Sequence, residues 1–241
     1  MTTHARTWLF DLDDTLHDAS LAAIRHTEAA MTAYMVEHLA LSHEEATVLR
    51  RHYWRRYGAT LLGLVRHHGV KASHFLEETH RLPGLEARLR TSAHDRAALR
   101  RLPGRRLIVT NAPRAYALRV LRTLGLAGLF DGIVCIEDMK MFGQHRPKPD
   151  ARMFRHLAAR LKTRPSRCVL VEDTLAHQRS ARRVGMKTVW MQRYLRGAVH
   201  ARGSHLKVGV HHCHKPAYVC ARIKRIQRLR ALWCTRHDLP R

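Results

Sequence analysis

From Pro103-Gly104 onward the chain alternates short, unbroken apolar runs with stretches of helical periodicity. That alternation constrains the fold more than any other feature. The runs cover 107–110, 133–136, 168–171 and 188–191; the helical stretches cover 113–124, 150–161 and 175–184, with Gly125 and Gly185 as stops. A strand that is apolar at every residue must be covered on both faces. The pattern therefore predicts an α/β, doubly wound parallel sheet of Rossmann-like form, with helices on both sides and right-handed crossovers. Residues 7–12, TWLFDL, read as one more buried strand ending in acids. Ligands of such sheets gather beyond the carboxyl ends of the strands.

Residues 20–102 follow a different period. Leu21, Ile24, Met31, Met35 and Leu39 recur at spacings near three and four. Ser42 with Glu45 is a capping-box signature. Tyr53 and Tyr57 share a helix face, helices at 59–68 and 73–80 are divided by Gly69, Pro83-Gly84 marks a turn, and 95–102 reads as a further helix. No strand signature interrupts this block. The expected organisation is an α/β core domain (1–17 and 103–241) with an all-helical cap domain inserted at 18–102. After 191, a polar loop (192–216), a short edge strand (217–219) and a basic amphipathic helix (223–233) are expected.

Four short pieces place reactive groups at the ends of the apolar runs. Asp11-Leu12-Asp13-Asp14-Thr15 follows the first run. Acids at i and i+2 share a face of extended chain, so one can attack while the other handles protons. Thr110 and Asn111 close the second run, where a hydroxyl and an amide can donate to phosphoryl oxygens. Lys148, between Pro147 and Pro149, can neutralise both an attacking carboxylate and a phosphate. Glu172 and Asp173 end another run, and hard carboxylates beside a phosphate suit Mg²⁺. Each piece alone is weak, but in this order they predict hydrolysis of a phosphate monoester through a covalent intermediate on Asp11.

Charge agrees with an anionic partner: 44 Lys and Arg oppose 19 Asp and Glu, a formal balance of +25. The basic residues persist to the end of the chain, where Asp238 is the sole acid after Tyr194. The helix at 223–233 could meet nucleic acid, though a solvated face above the stripe Ile223, Ile226, Leu229 and Trp233 is the simpler reading. Five cysteines leave an odd count; Cys135 and Cys168 sit in apolar runs and read as buried thiols in a reducing compartment. No run approaches the roughly 20 apolar residues of a membrane helix, and the opening residues are too polar for a signal peptide. A soluble cytoplasmic protein is expected. His211-His212-Cys213-His214 with Cys220 has loose metal spacing but lacks a second paired unit.

The sequence resembles the haloacid dehalogenase-like hydrolase superfamily. Its four motifs are matched by DLDDT (11–15), VTN (109–111), RPKPD (146–150) and LVEDT (170–174). The resemblance implies Asp11 as nucleophile and Asp13 as general acid/base, the latter marking a phosphatase-like member. It implies Mg²⁺ held by Asp11, the Asp13 carbonyl and Asp173, with Glu172 direct or through water, and Thr110, Asn111 and Lys148 on the phosphoryl group. The helical block is similar to the cap of that superfamily. A narrower stretch, RYGATLLGL (56–64), is similar to the pyrimidine 5′-nucleotidase-like subgroup, as are DLDDTLHDAS and TNAPRAYALRVLRTLGL. That implies a nucleoside monophosphate such as UMP or CMP. The alternatives are phosphoglycolate, a sugar phosphate or FMN, a phosphomutase, or a nucleic-acid binder on the same scaffold. Tyr53, Tyr57, Arg56, Thr60 and His17 are further candidates for the pocket, each with packing or capping as the plainer role.

Overall fold

β1 (Thr7–Phe10) is buried at all four residues and has a parallel neighbour on each edge. The computed structural model describes residues 6–195 and 214–234. β1 pairs with β2 (Arg105–Val109) on one side and β6 (Cys168–Glu172) on the other, so that Leu9 stands opposite both Leu107 and Leu170. β3 (Gly132–Val134), β7 (Lys187–Met191) and β8 (Ala221–Ile223) extend the sheet. The order is β3-β2-β1-β6-β7-β8, parallel throughout.

Unbroken apolar strands are explained by cover on both faces. Trp8, Phe10, Ile108, Val169, Val171 and Val189 pack on one side with α7 (Arg114–Thr123), through Tyr116, Ala117, Val120 and Leu121. Leu9, Leu107, Val109 and Leu170 pack on the other with α8 (Ala151–Arg160), through Met153, Phe154 and Leu157, and with Ala181 of α9 (Leu175–Arg183). The chain is thus an α/β parallel sheet layered between helices, as the alternation requires.

Between β1 and β2 lie only helices among regular elements. A π-helical turn (Ser20–Ile24) leads into α1 (Arg25–Leu39), followed by α2 (His43–Tyr57), α3 (Thr60–His68), α4 (Ala72–Thr79), α5 (Leu85–Arg88) and α6 (Ala93–Arg100). The capping box forms: Ser42 Oγ accepts from Glu45 N–H at 3.2 Å, and Glu45 Oε2 accepts from Ser42 N–H at 2.8 Å. Helices α1 to α4 bury a separate core that includes Tyr34, Met35, Tyr53, Leu64 and Phe75. Gly63 is forced there. A Cβ at this position would lie 2.1 Å from Tyr53 Cγ, so α2 and α3 approach to ring-on-backbone contact. Tyr53 is accordingly a packing residue, with its hydroxyl 2.8 Å from His68 Nε2.

Three local features depart from the sequence expectation. The edge strand falls at Ala221–Ile223 rather than 217–219, because Val219 N–H turns back onto Pro216 O at 2.9 Å. The last helix, α10, is shorter (Arg228–Cys234), yet Ile223, Ile226 and Leu229 are buried as the stripe predicts. A small hairpin joins β4 (Lys140–Met141) and β5 (Gln144–His145) ahead of Lys148. His211, His212 and Cys213 lie outside the described residues. Among the described residues, no helix is long and apolar enough to cross a membrane.

Candidate active site

Asp11 is the first residue past β1, and its N–H continues the ladder to Val171 O at 3.0 Å. The parallel sheet brings the ends of β1, β2 and β6 to one edge, so the four sequence motifs converge there. Asp14 takes φ 55°, a left-handed turn that Asp tolerates, and its carboxylate accepts from Ser20 N–H at 2.8 Å and Ser20 Oγ at 2.6 Å. This turn sets Asp11 and Asp13 at the floor of a cleft of about 1160 Å³, which Thr110, Asn111, Lys148 and Asp173 also line.

Lys148 reaches the floor from a loop fixed by Asn111. Its backbone N–H donates to Asn111 Oδ1 at 3.0 Å, and Asn111 Nδ2 donates to Lys148 O at 2.8 Å. The Asn111 amide is therefore engaged with the lysine backbone, whereas the sequence suggested a role on the phosphoryl group. Thr110 Oγ1 accepts from Ala112 N–H at 3.0 Å, which leaves its own proton to give. Lys148 Nζ donates to Asp11 Oδ1 and to Glu172 Oε2, each at 2.7 Å.

All three partners are buried: Lys148 is 1% exposed, Glu172 0% and Asp11 6%. Burial and then the negative charge of Glu172 push Asp11 well above the usual carboxylate range, and Lys148 offsets only part of this. For Glu172, burial acts upward, but the charges of Lys148 and His177 outweigh it and hold the carboxyl well below its ordinary value. His177 Nδ1 lies 3.1 Å from Glu172 Oε2, and Thr174 N–H donates to Glu172 Oε1 at 3.1 Å. The Asp173 carbonyl accepts from Trp190 Nε1 at 2.8 Å, tying the end of β6 to β7.

Asp11, Glu172 and Asp173 each offer an oxygen within 4.8 Å of the others. Their oxygens converge at the end of the sheet beside Lys148. A hard divalent cation fits that donor set, and Mg²⁺ prefers such oxygens.

Asp13 is held apart from this cluster. Its Oδ1 accepts from Tyr116 OH at 2.8 Å and lies 3.0 Å from His17 Nε2. Burial acts upward on Asp13, but the hydrogen bonds from His17 and Tyr116 prevail and lower its pKa. Burial, then Asp13 itself, push the Tyr116 phenol up, so it stays a donor. His17 is fully buried behind Asp13 rather than lining the cleft. Tyr116 went unnoticed in the sequence; it is 103 residues from Asp13 and sits on α7, with no local signal.

Helices α1 to α3 supply Glu28, Arg50, Tyr57 and Thr60 to the opposite wall, and His80, just past α4, joins them. Arg50 is buried; its Nε donates to Thr32 Oγ1 at 3.2 Å and Nη1 lies 3.4 Å from Glu28 Oε1. Thr60 Oγ1 donates to Arg50 O at 3.2 Å, so Thr60 both lines the cleft and joins α2 to α3. Arg56 donates from Nε to Tyr57 OH at 3.1 Å. Cys220 Sγ accepts from Thr188 N–H at 3.5 Å, a contact at the sheet edge.

Residues 5–185 match the haloacid dehalogenase-like hydrolase family, and the chain belongs to that family. It is 26% identical over 196 residues to phosphate metabolism protein 8 of Saccharomyces cerevisiae, a match covering 75% of this chain and 60% of the yeast protein. It is 33% identical over 79 residues to validoxylamine A 7′-phosphate phosphatase of Streptomyces hygroscopicus subsp. limoneus, covering 33% and 35% of the two chains. The chain thus spans less than two thirds of the length of these curated relatives. A haloacid dehalogenase-type phosphatase from Thermococcus onnurineus superposes with a TM-score of 0.57 at 20% identity, over 95% of this chain and 98% of that one. L-2-haloacid dehalogenase from Xanthobacter autotrophicus gives 0.57 at 14% identity, over 97% and 100%. At these identities the likeness is one of fold, and it embraces phosphatases and dehalogenases alike.

Proposed function

We propose that this hydrolase is a Mg²⁺-dependent phosphomonoesterase that forms an aspartyl-phosphate on Asp11. The observation that carries the reading is the pairing of two differently treated carboxylates. Asp11 is bound to a buried lysine, and Asp13 is held on one oxygen by Tyr116 and His17. A dehalogenase has no use for a second acid so placed. Two relatives named for phosphate metabolism and for a phosphatase support the same choice.

In this reading a carboxylate oxygen of Asp11 attacks phosphorus as the bond to the ester oxygen breaks. Asp13 gives its proton to that leaving oxygen. Water then attacks the phosphorus of the aspartyl-phosphate, Asp13 takes the proton, and phosphate leaves as Asp11 is restored. The like charge of a bound phosphate raises the proton affinity of Asp13, which is what its first task needs. Lys148 and Thr110 hold equatorial oxygens, while Asn111 positions Lys148. Asp11, Asp173, Glu172 and the Asp13 carbonyl would hold Mg²⁺. When bound, the ion supplies positive charge opposite the oxygens of the transferring group.

The helical segment 18–102 acts as a cap that recognises the leaving group. The likeness of RYGATLLGL to pyrimidine 5′-nucleotidases, with Arg56, Tyr57 and Thr60 lining the cleft, favours a nucleoside 5′-monophosphate such as UMP or CMP, in a cytoplasmic setting. Phosphate release is measured with UMP, CMP, AMP, FMN, phosphoglycolate and sugar phosphates, with Asp11→Asn and EDTA as controls. A UMP or CMP preference lost in the variant and with EDTA is expected. A flat or sugar-phosphate profile would leave the chemistry and remove the nucleotide. Turnover by Asp11→Asn, or without metal, would sink the mechanism.

A further inference from the structure

β8 lies beyond the segment 5–185 that matches the family, yet it reaches the active-site edge of the sheet. It pairs in parallel with β7, setting Arg222 beside Trp190 and Ile223 beside Met191. Gln192 N–H donates to Ile223 O at 2.9 Å and carries the pairing one residue past β7. Alternation along an extended chain then sorts the side chains. Ile223 turns into the core, while Arg222 and Lys224 are exposed and line the same cleft as Asp11 and Asp13. From the last turn of α2, Arg55 and Arg56 are also exposed and line this cleft. Four solvent-facing cations therefore accompany a floor of carboxylates. The phosphoryl group being transferred has Lys148 and Thr110, and none of the four has a part in that chemistry.

We propose that the cleft takes a phosphomonoester whose leaving group carries a second phosphate-type anion, and that Arg222 and Lys224, with Arg55 and Arg56, hold that second anion. The proposal rests on the phosphatase reading above and narrows its substrate class. Arginine presents a planar fork to phosphate oxygens, and lysine a compact charge. A cleft rimmed by one sign of charge also concentrates ligands of the other. The second anion has two sources: a small bisphosphate, or the backbone of a nucleic-acid strand whose terminal phosphate enters the floor.

The test compares kcat/KM within matched pairs: UMP against uridine 3′,5′-bisphosphate, fructose 6-phosphate against fructose 1,6-bisphosphate, and UMP against a 5′-phosphorylated oligonucleotide. The fructose pair contains no pyrimidine and so stands apart from the nucleotide preference. In at least one pair the doubly anionic substrate should be favoured on the order of ten-fold. That ratio should collapse in Arg222→Gln/Lys224→Gln and in ~0.5 M salt, and Lys224→Arg should retain it. An oligonucleotide preferred over the small bisphosphates identifies a strand end; the reverse order identifies a small metabolite. Equal use of both members of every pair, or a double variant that scales both alike, overturns the proposal. Affinity of Asp11→Asn for uridine 3′,5′-bisphosphate, measured by calorimetry, decides it without turnover. Weaker binding after adding Arg222→Gln/Lys224→Gln supports the second-anion site, and unchanged binding rejects it. Absence of turnover on every ester would sink the phosphatase reading and leave that binding result standing.

Discussion

Asn111 holds Lys148 by both of its backbone groups, at 2.8 and 3.0 Å, across 37 residues of sequence. The lysine in turn bridges Asp11 and Glu172. Asn111→Ala leaves two backbone groups without those partners and frees the loop that aims the ammonium. Turnover should fall on the order of 100-fold, since small misplacements of a catalytic group are costly. The melting temperature should drop by a few degrees. Steady-state kinetics beside a thermal melt checks this. A lower melting temperature with intact kcat would assign Asn111 to stability alone.

Tyr116 and His17 meet on the same oxygen of Asp13. In the proposed mechanism this shared grip leaves Oδ2 to exchange protons. Tyr116→Phe removes one charge-assisted bond, worth about 1.5–3 kcal/mol. We expect kcat to fall by roughly ten-fold or more with KM little changed, because the bond orients a proton donor rather than the substrate. A rise in KM at constant kcat would move Tyr116 into substrate binding.

His80 packs against Tyr116 with ring centroids 5.8 Å apart. Burial lowers its pKa to about 4, from an ordinary value near 6.5. The unfolded chain therefore takes up a proton on this group before the folded chain does. Its contribution to stability is fully present above pH ~6.5 and is lost as pH falls from there toward 4. Allowing for its partial exposure, the change is about 2 kcal/mol. Denaturant unfolding of wild type and His80→Leu at pH 8, 6, 5 and 4 tests the sign. The stability difference between the two should shift against wild type across that window, and a constant difference would refute it.

Gly63 admits the Tyr53 ring onto the backbone of α3. Gly63→Ala puts a methyl group inside that ring. Overpacking of this kind costs about 1–3 kcal/mol or more. A Tyr53→Ala/Gly63→Ala double variant should recover part of what Gly63→Ala loses, which double-mutant stability measurements resolve. Additive losses would show that the ring is not the obstacle.

The strands and the floor of the site were legible because each rests on contiguous sequence. The apolar runs at 7–10, 107–110 and 168–171 announce buried parallel strands, and reactive groups lie at the end of each one. What escaped was assembled across the chain. Tyr116 reaches Asp13 from a helix whose pattern reports only packing. Arg50 looks like any surface arginine until Thr32 and Glu28 close around it. The β4–β5 hairpin has two-residue strands, too short for any period to register. Its tip, Phe142-Gly143, has positive φ at both residues, a turn signal carried by one glycine. β8 was displaced by a few residues because Ala217 to Val219 is the more apolar run, whereas pairing with β7 selects Ala221–Ile223.

The placement of β1 between β2 and β6 has a consequence for biosynthesis. Thr7 pairs with Arg105 and with Cys168, so β1 must wait for two partners that are made later. At about 5–20 residues per second, β2 follows after roughly 5–20 s and β6 after roughly 8–30 s. Throughout that interval Trp8, Leu9 and Phe10 leave the ribosome with neither edge paired. The nascent chain thus offers a sticky apolar strand long before its partners, and its yield in a cell should depend on holdase chaperones that shield Trp8, Leu9 and Phe10.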